Sequence, residues 1–126
     1  MLLIPERHPL ASQEKIVPGD LLAHRLLITA AHCPYRKKLE SVLRDSGGPP
    51  MNTMEIGSMT ALKYFVESGL GIALVPSVML SPVPARTVAR RLEGTRIDMI
   101  CGMLCKISEY PLKQASLKLH QFLRQE

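Results

Sequence analysis

The chain has 126 residues, 46% of them hydrophobic and only five aromatic, with a formal charge of +5. That is enough for one core in one compact domain, and no apolar run approaches the roughly 20 residues of a membrane span. The positive charge does not by itself make a nucleic-acid surface. Arg36-Lys37-Lys38 and the set Arg86, Arg90, Arg91 and Arg96 lack the interleaved aromatics that base stacking needs, so both groups read as solvated faces.

Strands and helices alternate along the chain, without internal repeats or low-complexity segments. A strand at about 2–5 and a turn rich in Pro, Ser and Gly precede a second strand at about 25–30. A helix is expected from about Pro34 to Ser46, where Leu39, Val42 and Leu43 make an apolar stripe and Gly47-Gly48-Pro49-Pro50 ends it. Met54 and Ile56 then lead into Gly57-Ser58. Ser58 is a good N-cap for a helix carrying Met59, Leu62, Phe65 and Val66 on one side.

Gly69 and Gly71 punctuate the end of that helix, and Ile72 to Val75 is a short all-apolar run suited to a strand buried on both faces. Residues 54–76 therefore form a βαβ unit with a ligand-sized loop between strand and helix. Short Pro-interrupted elements fill 76–92. A long apolar strand is expected at 97–105, with Cys101 and Cys105 on one face because their spacing is even. A last helix from about Pro111 carries Leu112, Ala115, Leu119, Phe122 and Leu123 on one side, a stripe that needs a partner surface.

Three cysteines in no metal-type spacing, and an N-terminus broken at Pro5 after about three apolar residues, fit a reducing cytoplasm better than export. No metal ligand set, no cofactor and no catalytic residue is predicted. Thr29-Ala30-Ala31-His32-Cys33 and Asp45-Ser46-Gly47-Gly48-Pro49 are similar to the histidine and serine signatures of chymotrypsin-like proteases. An apparent helix fills the 13 residues between His32 and Ser46, which would separate the side chains by roughly 20 Å, far beyond the contact a triad needs.

Glu55-x-Gly57-Ser58, the helix, and Val66-x-x-Gly69-x-Gly71-Ile72-Ala73-x-Val75-Pro76 resemble the second lobe of the effector-binding domain of LysR-type transcriptional regulators. The flanks agree: Leu2 to Leu10 resembles that family's first strand and its His-Pro-Leu turn, and Asp20-Leu21-Leu22 the short element before the next strand. The resemblance implies a periplasmic-binding-protein type II-like α/β lobe, with a mostly parallel central sheet and helices on both faces. It divides the single domain 1–126 into a strand entering the lobe at about 2–5, a second lobe at about 16–95, and a return strand with closing helix at about 96–125. A first lobe and a winged helix-turn-helix domain would lie outside this piece, and the closing helix would pack on that first lobe.

The resemblance further implies a non-enzymatic sensory role. A small-molecule effector, expected to be anionic, would bind between lobes; the parent would be a homo-oligomer that meets promoter DNA only through the absent domain, with no membrane partner. A fragment of a solute-binding protein or of an enzyme on the same fold is the alternative. This lobe's share of the effector site is expected from Thr29, Ala31, His32, Cys33 and Tyr35 in one strand-to-helix loop and Gly57, Ser58 and Met59 in its neighbour. Backbone N–H groups and helix dipoles suit such loops to anions, and the hydroxyls of Thr29 and Ser58 add donors.

Each residue also has a plainer reading: Ser58 as a mere cap, Thr29 as a β-branched strand residue, His32 as a surface histidine, Met59 as core. Cys33, at a helix N-terminus, combines the chemistry of a reactive thiol with the size of a small buried hydrophobe. Glu67 and Lys118 are expected on solvated helix faces.

Overall fold

The computed structural model describes residues 1–98, 102, 104, 106 and 113–123. The expected strand at 97–105, with Cys101 and Cys105, lies largely outside these residues, as does Leu112. Five strands form one sheet: β1 (Leu2–Pro5), β2 (Leu26–Ile28), β3 (Thr53–Glu55), β4 (Ile72–Leu74) and β5 (Thr87–Arg90), in the order β3-β2-β4-β1-β5. The helices are α1 (Pro18–Leu21), α2 (Pro34–Asp45), α3 (Met59–Glu67) and α4 (Gln114–Leu123), with 3-10 turns at Pro9–Ala11 and Ser77–Leu80.

β2 pairs in parallel with both β3 and β4, whereas β1 runs antiparallel to β4 and to β5. Four of the five strands thus point one way, and β1 alone is reversed. The sheet is therefore mixed.

Side-chain alternation divides the core into two layers. Leu2, Ile4, Leu26, Ile28, Ile72 and Leu74 face one way and pack with Leu21 of α1 and with Tyr35, Leu39 and Leu43 of α2. Leu3, Leu27 and Ala73 face the other way and pack with Leu62 and Val66 of α3. β4 is flanked by strands on both edges and covered on both faces, which is why its three residues are all apolar and all buried.

The connections follow from local chemistry. Ser58 Oγ accepts from the Ala61 N–H at 3.3 Å and starts α3 as a side-chain cap should. Gly47 and Gly48, with φ of +66° and +124°, carry the chain out of α2 through the left-handed region that L side chains resist. Gly71 serves close packing instead, because a Cβ there would stand 2.6 Å from the Arg25 carbonyl oxygen.

Two expectations about charge need correction. Arg36 and Arg90 are half-buried and hydrogen-bonded rather than free on a solvated face. The Arg90 guanidinium donates to the carbonyls of Ala11, Gln13 and Glu14 at 2.6 to 3.0 Å, pinning the loop after β1 onto β5. Glu67 is also partly covered, with a carboxylate 3.7 Å from Arg86, because the end of α3 meets the turn before β5. Lys118 is exposed as expected.

α4 forms where an amphipathic helix was expected, yet none of its residues is buried. Leu119, Phe122 and Leu123 stand more than half exposed.

Candidate functional site

β2, β3 and β4 all end at the same edge of the sheet, and the two loops singled out from the sequence leave from it. β2 runs into Thr29, and the Cys33 N–H closes a turn onto the Ala30 carbonyl at 2.9 Å. Cys33 is the N-cap of α2 and Pro34 its first residue, a position where a missing N–H does no harm. At the end of β3 the Ile56 N–H donates to the Ile28 carbonyl at 2.8 Å, so the second loop departs alongside the first. The first strand enters at this edge too, since Leu2 pairs with Leu74 and with Arg90, and the chain leaves β5 there.

Thr29 is the only buried polar residue among those described, at 8% exposure, and its hydroxyl oxygen has no hydrogen-bond partner of acceptable geometry. That hydroxyl is nevertheless the largest influence holding the Cys33 thiol's pKa below its ordinary value. Partial burial opposes the shift, and the backbone N–H groups of Arg36 and Tyr35 reinforce it. Tyr35 is buried, and burial, with a smaller contribution from Cys33, pushes its phenol well above the usual range. Ala31 and His32 are exposed at the tip of the turn.

In the second loop Gly57 and Ser58 are exposed, whereas Met59 is half-buried and packs against both core layers. The core reading of Met59 therefore accounts for its side chain. Ser58 is occupied as a cap, and its hydroxyl hydrogen is left for a further acceptor.

Arg36 ties the two loops together, and sequence reasoning missed it. Its Nη1 donates to the Thr29 carbonyl at 2.9 Å and to Glu55 Oε2 at 2.6 Å, while its Nε donates to Glu40 Oε1 at 2.6 Å. The only signal in the sequence was the spacing of four between Arg36 and Glu40, which fits an exposed helical pair equally well.

A cleft of about 690 Å³ opens beside this edge, between the end of β4 and the segment after β5. Tyr35, Val75, Pro76, Val78, Leu92 and Arg96 are among its walls. Of the expected site residues only Tyr35 lines it. The apolar run Ile72 to Val75 was expected as a strand; β4 ends at Leu74, so Val75 and Pro76 follow it, and their place on the cleft wall depends on residues 91–98 coming back across the edge. Arg96, 87% exposed there, is paired with Asp98 at 2.8 Å.

His32 and Ser46 sit at opposite ends of α2, and Ser46 Oγ donates to the Val42 carbonyl at 2.9 Å, so the protease-like motifs do not meet. Among the described residues no cluster of three or more His, Cys, Asp or Glu could hold a metal ion, and no helix is long and apolar enough to cross a membrane.

Comparison with known proteins gives this geometry its context. The family model for the LysR substrate binding domain matches residues 1–126. The HTH-type transcriptional regulator CbbR of Xanthobacter flavus is 30% identical over 129 aligned residues, which span 100% of this chain and 39% of CbbR. Among solved structures, the BenM effector binding domain with its effector benzoate superimposes with a TM-score of 0.65 at 23% identity, covering 74% of this chain and 44% of that one. The effector binding domain of QuiR in complex with shikimate gives 0.64 at 17% identity, covering 75% and 45%. This chain therefore spans less than half the length of these relatives. Two loops opening at one edge of a mixed α/β sheet, on the fold shared with those domains, and a family match over every residue lead to one conclusion: the chain belongs to the LysR substrate-binding domain family, the effector-binding part of LysR-type transcriptional regulators.

Proposed function

We propose that this lobe supplies one wall of a small-molecule effector site, at the edge where β2, β3 and β4 end, and that the effector carries a carboxylate or similar anion. The observation that carries the reading is the Thr29 hydroxyl, buried and without a formed hydrogen bond. A buried donor left unmade costs about 1–3 kcal/mol, so it persists where something other than folding uses it. α2 and α3 begin at the same sheet edge, and the dipoles of their N-termini favour negative charge. Benzoate and shikimate, held by BenM and QuiR, are both carboxylates.

Thr29, Cys33 and Tyr35 would form the inner part of the site, Gly57 and Ser58 its second side, and Ala31 and His32 the rim. The neighbouring cleft gives the body of the ligand an apolar wall at Val75 and Pro76. The role is binding, with no catalytic step, and α2 keeps His32 and Ser46 apart. In the parent protein, a homo-oligomeric cytoplasmic regulator, effector bound between this lobe and a first lobe would shift lobe closure. Attached DNA-binding domains would then meet their promoter in a different arrangement.

The test uses the intact regulator, screened by thermal shift against benzoate, shikimate and further carboxylates. Thr29→Val and Ser58→Ala are expected to weaken the response to any carboxylate that stabilises the wild type, while Arg44→Gln, exposed at the far end of α2, keeps it. Ser58→Ala also removes a cap worth about 1 kcal/mol, so each response is measured from that variant's own unliganded midpoint. An unchanged dose-response in both site variants would move the site elsewhere.

A further inference from the structure

We infer that Arg36 is the positioning residue of this half-site, a three-way clamp that fixes the spacing of the two effector loops before any ligand arrives. The inference rests on the proposed effector site, since it is those two loops that Arg36 joins. One guanidinium reaches the last carbonyl of the β2 run at Thr29, the carboxylate of Glu55 at the end of β3, and Glu40 one turn along its own helix. Its side chain is 17% exposed, and Glu40 and Glu55 are 25% and 55% exposed.

Geometry separates this role from that of an ordinary surface ion pair. The planar guanidinium holds a carbonyl and a carboxylate on Nη1 and a second carboxylate on Nε in fixed directions, which a lysine ammonium on a flexible stem does not reproduce. The bond to the Thr29 carbonyl matters most. It holds in place the backbone from which the buried, unbonded Thr29 side chain projects. Glu55 carries the constraint across to the Gly57-Ser58 loop, two residues further on.

The charge arithmetic also excludes Arg36 as the effector's own counter-ion. One cation already faces two carboxylates, a net of −1 for the three groups. Anion recognition is left to the Thr29 hydroxyl and the helix N-terminal N–H groups, with Arg36 acting through them.

The test is backbone hydrogen exchange on the full 126-residue chain without ligand, comparing wild type with Arg36→Gln, Arg36→Lys and Glu55→Gln. The reporters at the site edge are the Cys33 N–H, bonded to Ala30, and the Ile56 N–H, bonded to Ile28. The controls at the opposite edge are the Leu26 N–H, bonded to Asn52, and the Ile72 N–H, bonded to Arg25. Arg36→Gln is expected to speed exchange at Cys33 and Ile56 by about tenfold, as loss of hydrogen bonds to a charged group implies, with Leu26 and Ile72 unchanged. Glu55→Gln, a substitution at a half-exposed position, should speed Ile56 more than Cys33, and Arg36→Lys should fall between wild type and Arg36→Gln.

Equal acceleration at all four amides would reduce Arg36 to general stability, and no acceleration at the site edge would overturn the clamp outright. Full protection in Arg36→Lys would do the same for the fork geometry. Because no effector is present, this outcome is independent of the Thr29→Val and Ser58→Ala binding test, and either can fail while the other stands.

Discussion

α2 and α4 are both amphipathic helices, of 12 and 10 residues, and they have opposite fates. α2 buries Tyr35, Leu39 and Leu43 against β1, β2 and β4, and its first turn contributes Arg36 to the loop clamp. α4 carries Leu119, Phe122 and Leu123 and buries nothing. The pattern of a helix specifies a stripe, but the partner of that stripe is set by chain that folds elsewhere. For α2 the partner is the sheet of this lobe. For α4 we propose the first lobe of the intact domain, outside this chain.

The largest effects should separate the two helices most clearly. Leu43→Ala in α2 removes a side chain 1% exposed and is expected to cost about 2–5 kcal/mol, read as a lowered denaturant midpoint. Leu119→Ala in α4, at 54% exposure, should stay within about 0.5 kcal/mol in this chain. In the intact regulator Leu119→Ala should become costly, because its partner is then present. A large loss from Leu119→Ala in the isolated chain would instead mean that α4 already packs within it or against a second copy, which sedimentation would distinguish.

How legible each region was in the sequence follows the same division. α2 and α3 were readable because their signals are local: a stripe at helical spacing, Ser58 as a cap, and Gly47-Gly48 as a stop. β4 was readable because a run of apolar residues between Gly71 and Pro76 leaves a doubly covered strand as its natural place. Contacts between distant segments were not readable. Arg36 sits in a basic run that looks solvated, and its pairing with Glu55 depends on β3 lying beside β2 in register, Ile28 opposite Glu55. Glu67 likewise becomes half-covered only because Arg86 turns back onto the end of α3. β5, among short segments interrupted by prolines, gains its strand character from pairing with β1 over Leu2 to Pro5.

For the candidate site, the residue types were legible and the arrangement was not. Thr29 and Ser58 were named for their hydroxyls, and Ser58 was locally readable as a cap, yet nothing local shows that the Thr29 hydroxyl is buried without a bond. That difference arises because Thr29 ends a central strand under α2, while Ser58 follows an edge strand. The cleft wall at Val75 and Pro76 was hidden for a similar reason, as it exists only once residues 91–98 cross the sheet edge.

A smaller effect sharpens the comparison at the helix ends. Gly47 holds φ at +66° with open space around its Cα, so Gly47→Ala should be penalised by left-handed backbone strain alone, about 1 kcal/mol, without a steric clash. Thermal unfolding of the variant checks this. A loss several times larger would mean that the exit of α2 is packed more tightly than its geometry indicates, and no loss would mean that the turn relaxes freely.

The smallest effect lies at the start of α2, where the helix is chemically distinctive as well as packed. The Thr29 hydroxyl, followed by the N–H groups of Arg36 and Tyr35, holds the Cys33 thiol below its ordinary pKa against the opposing pull of burial. A lowered folded-state pKa means more thiolate near neutral pH than in the unfolded chain. The pH at which iodoacetamide alkylation of the Cys33 peptide reaches half its maximal rate, followed by mass spectrometry, should therefore lie below that of the same peptide in denaturant. Thr29→Val removes the largest contribution and should raise that midpoint toward the unfolded value, with the two N–H groups retaining part of the shift. The sign for stability follows: a depressed thiol pKa favours the folded state above the unfolded pKa, and the benefit fades as pH falls through the folded pKa. Because Cys33 is only partly buried, that contribution should be slight and the alkylation midpoint the sensitive measure. An unmoved midpoint in Thr29→Val would mean that the hydroxyl does not act on the thiol, and that the backbone N–H groups alone hold its pKa down.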